Sequence, residues 1–336
     1  MKATDKMKAI VAVGYGSPAV LKVSMIDKPV PKASELLVKV VTSSATRADS
    51  QMRTGKPVIG RLFTGLRKPK NAVPGTGFAG IVVATGDKVT VFKAGDKVFG
   101  ETTLGFSTNA EYLTIPESGV ILHKPDNMDF TDACTLCDGH LTSINFLKNV
   151  ARLKKGQKIL VNGASGSLGS AAIQLAKYFG AEVSAVCSTR NVGLVKSLGA
   201  DVVIDYTKED FTLQEKQYDV IYDTVGKLSF QKCKNSLSKK GIYLSPVLKA
   251  SLLFEVLLSS IVGSKKAKFG ATGLSSDTVL TGLLKEVVEM YNEGKLTSIV
   301  DRQFSLEKLA EAHRYIDTGH KKGNIVIQHQ TEEEYK

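Results

Sequence analysis

The sequence predicts an α/β chain in which a barrel-like domain of short β-strands accompanies a doubly wound parallel sheet. Three observations carry that expectation. The first third is a series of short apolar runs punctuated by glycine. The middle alternates strand and helix patterns. Between the first such strand and helix lies the glycine-rich turn Gly163-Ala164-Ser165-Gly166-Ser167-Leu168-Gly169.

In the first third, Ala9 to Val13 is an apolar run that stops at Gly14-Tyr15-Gly16-Ser17-Pro18, a cluster of turn formers. Leu36 to Val41 is rich in β-branched residues and reads as a strand. Gly75, Gly77 and Gly80 precede Ile81-Val82-Val83, and Gly95-Asp96-Lys97-Val98-Phe99-Gly100 follows. Many short strands broken by glycine fit a small barrel-like domain.

From residue 159 the period changes. Ile159-Leu160-Val161 is a short buried strand, and Ser170 to Phe179 has helical spacing that ends at Gly180. Ala181 to Cys187, Val202 to Ile204 and Tyr218 to Tyr222 read as further strands, with a helix over Val192 to Leu198. Strand and helix in alternation predict a parallel doubly wound sheet. After Pro246 the pattern weakens until a helix over Thr278 to Asn292, stopped by Gly294. A last helix, Leu306 to Ile316, is followed by a strand, Asn324 to Ile327, and an acidic tail, Thr331 to Lys336.

Composition narrows the function classes. The 336 residues are 43% hydrophobic and 23% charged, which suits two globular domains. Lysine and arginine total 45 against 33 acids, a net charge of +12. The basic runs, such as Arg67-Lys68-Pro69-Lys70 and Lys265-Lys266-Ala267-Lys268, are short and not interleaved with aromatics. Single-stranded nucleic acid needs such stacking platforms, so no nucleic-acid partner is expected. The four cysteines, Cys134, Cys137, Cys187 and Cys233, are too few for a disulfide framework and fit a reducing compartment. The charged start Met1 to Lys6 has no signal-peptide core, and the apolar stretch Ser251 to Val262 is shorter than the ~20 residues of a membrane span. A cytoplasmic protein is expected. Membrane association through that stretch is not favoured.

A glycine-rich turn between a strand and a helix is where a dinucleotide fold places its phosphates. One glycine makes the turn, one lets backbone N–H groups approach the diphosphate, and one lets helix and strand pack closely. The spacing here is Gly163-x-x-Gly166-x-x-Gly169. NAD binders place an acid about 20 residues further on, at the end of the second strand, for the ribose hydroxyls. No acid occurs between Val183 and Ala200; the strand ends in Cys187-Ser188-Thr189-Arg190-Asn191. Hydroxyls and a guanidinium suit a 2′-phosphate, so the expected cofactor is NADPH.

These motifs, with Ile173-Gln174-Leu175-Ala176-Lys177, Ser197-Leu198-Gly199-Ala200-Asp201, Ala94-Gly95-Asp96-Lys97-Val98 and the ending Gly319 to Ile327, carry a resemblance along nearly the whole chain. The sequence resembles the zinc-free medium-chain dehydrogenases/reductases, the branch of quinone oxidoreductases and alkenal reductases. The resemblance implies a GroES-like substrate domain over 1–127, completed by 300–336, and a Rossmann NADP-binding domain over 128–299. It implies that Tyr206, Ser188 and Arg190 lie at the adenosine 2′-phosphate end. It puts Thr142 and Ser245-Pro246-Val247 near the nicotinamide, with Lys322 and Asn324 returning towards the cofactor. It also implies a homodimer, paired through an edge strand at Lys265 to Gly270.

Zinc-dependent relatives carry a cysteine and a His-Glu pair where this chain reads Thr46 and Thr76-Gly77, so no metal site is expected. The spacing Cys134-x-x-Cys137-x-x-His140 resembles a metal or redox motif but falls on a helix beginning near Asp129 or Thr131, with no second cysteine pair. Buried helix thiols are the preferred reading. Without a Lewis acid, conjugated acceptors are the easier substrates: hydride adds to a quinone, or to the C=C of an enone or alkenal, while the protein positions the partners. A small hydrophobic carbonyl or quinone is the expected substrate. Thr46 stands as carbonyl donor or pocket wall, and His140, just before Thr142, as a pocket residue. A non-catalytic NADP-binding module, structural or regulatory, with or without peripheral attachment to a membrane, is the alternative.

Overall fold

The computed structural model describes residues 5–56, 58, 61–213, 215 and 218–329; the acidic tail from 331 onward lies outside them. The described residues divide into two compact units. The first takes in 1–138, 273–286 and 300–336, the second 139–272 and 287–299.

The first unit opens with an antiparallel pair, β1 (Lys6–Ala12) and β2 (Leu21–Asp27). Its main sheet is built on β3 (Glu35–Ala45), which pairs antiparallel with β4 (Gly77–Thr85). Leu36, Val38 and Val40 of β3 pack with Phe78, Val82 and Val98 in one core. The sheet continues through β5 (Lys97–Glu101), while β6 (Tyr112–Pro116) pairs with β3 and β7 (Val120–His123) with β5. Helix α1 (Arg47–Thr54) follows β3 directly. Thr46 caps its start and Gly55, in the left-handed region at φ +61°, ends it. Helix α2 (Phe130–Thr135) starts at Asp129, whose carboxylate accepts from the Asp132 amide at 2.6 Å. Thr42 of β3 donates its hydroxyl to the Phe130 carbonyl at 2.7 Å, so residues 128–138 group with this sheet, beyond the boundary at 127 suggested by sequence.

The second unit is the doubly wound sheet. Its elements in chain order are β8 (Lys158–Asn162), α3 (Ser167–Tyr178), β9 (Glu182–Cys187), α4 (Val192–Ser197), β10 (Val202–Asp205), β11 (Tyr218–Asp223), β12 (Leu237–Ser245), α5 (Ala250–Ile261) and β13 (Lys266–Phe269). Among the described residues the strand order is β10-β9-β8-β11-β12-β13, all parallel. That is the mononucleotide-binding order of two βαβ halves meeting at the first strand. Ile159, Leu160 and Val161 are wholly buried, as a central parallel strand covered on both faces requires. Strand β12 escapes the sequence reading because Lys239-Lys240-Gly241 interrupts its apolar run.

Helix α6 (Asp277–Asn292) leads to β14 (Val300–Ser305), α7 (Leu309–Asp317) and β15 (Asn324–Gln328). Strand β15 returns to the first unit, antiparallel to β3 and parallel to β14. Residues 277–286 of α6 also group with the first unit, where Thr281 donates to the Gly119 carbonyl at 3.4 Å.

Candidate functional site

The second unit holds a phosphate cradle. Gly163, at φ +78°, turns the chain out of β8, and a side chain there would press on Thr224 and Val225. Gly169 lies so close to the Gly163 carbonyl and Ala164 that a Cβ has no room, which brings α3 against the strand. Gly166, the N-cap of α3, is different: a Cβ there would meet only ordinary contacts, and the cap offers no side-chain acceptor to the first turn. The protein itself does not need glycine at 166, whereas a phosphate approaching the helix start does. Ala164, Ser165 and Ser167 are buried around it, and Ser143 donates to the Leu168 carbonyl at 2.9 Å, fixing the segment that carries Thr142 beside the turn.

Two side chains that sequence reasoning missed organise this cradle. Asn191 is buried, and its amide donates to Ser165 at 2.8 Å and to Ser188 at 3.3 Å. It therefore ties the glycine turn to the end of β9, and its own Oδ1 is buried without a partner. Asp223, at the end of β11, is completely buried and accepts five hydrogen bonds. They come from the Asn162 amide (2.8 Å), the backbone N–H groups of Val225, Gly226 and Leu228 (3.0–3.2 Å) and the Tyr243 hydroxyl (2.9 Å). Those bonds hold the loop that packs on Gly163. Ser245, also buried, donates to the Asp223 carbonyl at 2.8 Å and accepts from Val247 N at 3.2 Å, which places Ser245-Pro246-Val247 beside the same loop.

At the end of β9, Ser188 is half-buried while Arg190 and Tyr206 are exposed. An acid does reach this place from the next strand. Asp205, opposite Cys187, accepts the Thr189 hydroxyl at 2.6 Å and the Thr207 hydroxyl and amide at 2.7 and 3.0 Å. Those donors hold its carboxyl down to about 2. His140 is 1% exposed, and burial drives its ring down to about 4, a neutral core histidine at neutral pH. It lines neither cavity of the first unit.

Those cavities measure about 400 Å³ and 320 Å³. The smaller is walled mainly by apolar groups, including Met52, Leu104 and Phe106, with Asp49, Arg53 and Lys70 among its polar members. Arg53 is 2% exposed and donates to Asp317 and the Gly16 carbonyl, each at 2.6 Å, and to His313 at 3.2 Å. Thr46 does not line it. The Thr46 hydroxyl accepts from the Asp49 amide at 3.1 Å and donates its proton to Asp49 Oδ2 at 2.8 Å, so the proton a carbonyl donor needs is engaged. Lys322 and Asn324 stand at the start of β15, and the Lys322 amide donates to Asp301 at 2.8 Å.

Residues 32–126 match the family model of an alcohol dehydrogenase GroES-like domain, and residues 198–327 that of a zinc-binding dehydrogenase. A 2-methylene-furan-3-one reductase of Solanum lycopersicum is 34% identical, over 96% of this chain and 79% of its own. The chain belongs to the zinc-free, quinone-oxidoreductase-like medium-chain dehydrogenases/reductases. Another relative, the chloroplastic NADPH-dependent alkenal/one oxidoreductase of Arabidopsis thaliana, is 32% identical over the same shares of the two chains. The structure of a quinone oxidoreductase from Coxiella burnetii superposes with a TM-score of 0.85 at 29% identity, over 97% of this chain and 100% of that one.

Zinc, which the description of one matching model implies, does not fit this medium-chain reductase. A ligand side chain at Gly77 would sit 2.7 Å from Ser44 Oγ and 3.2 Å from the Cys134 carbonyl. The thiols of Cys134 and Cys137 are buried in the helix and donate to carbonyls one turn back, and burial pushes Cys134 up to about 12, away from the thiolate that binds metal. Among the described residues no group of three or more His, Cys, Asp or Glu side chains is placed to share an ion. A dinucleotide does fit: the open Gly166, the uncapped start of α3 and the orphaned Asn191 Oδ1 all meet at one place.

Proposed function

We propose that this medium-chain reductase is an NADPH-dependent, zinc-independent oxidoreductase that reduces quinones or the C=C of α,β-unsaturated carbonyls. The observation that carries it is the glycine turn itself, where Gly166 is left open in the protein at the head of α3. The backbone of Gly163 to Gly169 would hold the diphosphate. Ser188, Arg190 and Tyr206 would take the 2′-phosphate and adenosine, and Thr142 and Ser245-Pro246-Val247 the nicotinamide, with Lys322 and Asn324 added from the C-terminal segment. When bound, NADPH supplies hydride.

The apolar cavity of about 320 Å³ is of a size for a small hydrophobic carbonyl or quinone. Thr46 holds the Asp49 carboxyl at its wall, and His140 is a buried core residue rather than a pocket residue. With no metal to polarise an isolated ketone, a conjugated acceptor is the chemistry the donor set favours. Relatives named as reductases support turnover over a non-catalytic binding module. Product identification tests the reading: incubation of an unsaturated aldehyde with NADPH is expected to give the saturated aldehyde. An allylic alcohol as the main product would refute it.

A homodimer is the proposed assembly. Strand β13 pairs with β12 and forms the edge of the sheet, and the adjoining α5 turns Phe254, Leu257 and Ile261 outward, each more than 60% exposed. A second copy adding at that edge covers both features. Light scattering is expected to give twice the 36.1 kDa chain mass; the single-chain mass at micromolar concentration would refute it. No helix among the described residues is long and apolar enough to cross a membrane. A cytoplasmic location rests on the four free cysteines, and relatives named chloroplastic make a plastid the competing place.

A further inference from the structure

Asn191 occupies the N-cap of α4, a position where asparagine is favoured because its side-chain oxygen accepts from the amides of the first turn. Here it makes no such bond, and Oδ1 is buried without a partner. The side chain turns its Nδ2 the other way, to Ser165 Oγ in the glycine turn at 2.8 Å and to Ser188 Oγ just past β9 at 3.3 Å. The direction of these bonds follows from cost. With the amide reversed, the NH2 group would be the one buried without a partner, and an orphaned buried N–H is rarer in proteins than an orphaned carbonyl. A residue that gives up its ordinary capping bond to join two serines 23 positions apart has another task.

The consequence lies in the serine protons. A hydroxyl that accepts from an amide still has its own O–H to give. Among the described residues neither Ser165 nor Ser188 gives its proton to the chain; each takes part only as an acceptor from Asn191. Thr189, the next hydroxyl along, differs: its proton goes to Asp205 at 2.6 Å. Asp205 also takes the hydroxyl and amide of Thr207, so this acid is committed within the protein. Of the hydroxyls at this end of the sheet, Ser165 and Ser188 are the two held as donors with nothing yet to donate to.

We propose that Asn191 is a positioning residue that commits the Ser165 and Ser188 hydroxyls as donors to the diphosphate and the 2′-phosphate of NADPH, and so contributes to the choice of NADPH over NADH. The proposal rests on the NADPH reading of the glycine turn given above. A phosphate oxygen is an acceptor only, and a hydroxyl already fixed as a donor loses less freedom on meeting it. The two serines do different work. Ser165 belongs to the turn that holds the diphosphate, which both dinucleotides carry. Ser188 lies at the end of β9, where only NADPH has a phosphate. Asn191 touches no cofactor atom in this account; it acts through the two hydroxyls.

The test is equilibrium titration of the full chain with NADPH and with NADH, followed by nicotinamide fluorescence and needing no turnover. Asn191→Ala is expected to weaken NADPH about a hundredfold and NADH about tenfold, so that the preference between them narrows about tenfold. Ser165→Ala is expected to weaken both alike, and Ser188→Ala to weaken NADPH alone. In a Ser188→Ala background, Asn191→Ala should no longer change the NADPH-to-NADH ratio, because the hydroxyl through which it acts is gone. Asn191→Asp keeps the shape but places acceptors against both serines, drawing their protons inward, and is expected to bind NADPH more weakly than the alanine variant. Circular-dichroism melts establish that each variant is folded. Equal losses for the two cofactors in Asn191→Ala overturn the proposal and leave a structural brace. A ratio change that persists in the Ser188→Ala background also overturns it, as does an aspartate variant that binds NADPH like wild type. A wild type that binds no NADPH overturns the cofactor reading and the proposal together; a wild type that binds it beside an unaffected Asn191→Ala variant overturns the proposal alone.

Discussion

Asp223→Ala is expected to destabilise the second unit by about 4 kcal/mol or more, enough to unfold a domain of ordinary stability under mild denaturant. The reason is the number of donors left behind. Asp223 is wholly buried, and its removal strands three backbone N–H groups, the Asn162 amide and the Tyr243 hydroxyl. Each buried donor without an acceptor costs about 1–3 kcal/mol, reduced where water can enter. Asp223→Asn keeps one acceptor oxygen and is expected to lose less, because the tyrosine hydroxyl can reverse its bond. Urea denaturation followed by circular dichroism is the suitable measurement, since the chain has no tryptophan. A midpoint for the alanine variant equal to that of wild type would contradict the role assigned to this carboxylate.

Gly163→Val is expected to weaken NADPH binding about a hundredfold. Two costs coincide at this position. A β-branched residue at φ +78° is strained by about 1–2 kcal/mol, and its side chain is driven into Thr224 and Val225. That loop cannot retreat easily: Thr224 donates to the Asn162 carbonyl at 2.8 Å, and Asp223 holds the residues after it. The turn must move instead, carrying its N–H groups away from the diphosphate. The control is Gly95→Ala, at φ +94° with nothing within 4 Å of the added atom, which isolates backbone strain in the other unit. NADPH fluorescence titration should separate the two variants, with affinity lost in the first and kept in the second.

The features legible in the sequence are those written in local patterns. The alternation of strand and helix announced the parallel sheet, and its elements fall within a few residues of their expected places; α3 begins three residues earlier because the glycine turn runs into its first turn. The helix capped by Asp129 was readable for the same reason, whereas the edge strand at 266–269 came from the family resemblance and not from a local pattern. What was not legible depends on contacts across the chain. Asp223 ends an apolar strand and looks like any polar residue there, yet its donors come from strands and loops up to about 60 residues away. Asn191 bridges 26 positions to Ser165. The absence of an acid after β9 was read along one strand, and Asp205 arrives from its neighbour. Thr46 was weighed as a donor by position, but its hydroxyl is shared with the helix cap and with Asp49, three residues on. Helix α5, with its apolar side outward, defeats a reading that assumes apolar residues face the core.

The most direct measurement of the whole account is the initial rate of NADPH oxidation with an alkenal and with a quinone, in the presence of a strong chelator, set beside the same rates with NADH. The account predicts turnover with NADPH that the chelator leaves unchanged and that exceeds NADH by about tenfold or more in kcat/KM, the worth of roughly one phosphate contact. Binding of NADPH without turnover of either acceptor, or activity that disappears with the chelator, would contradict it.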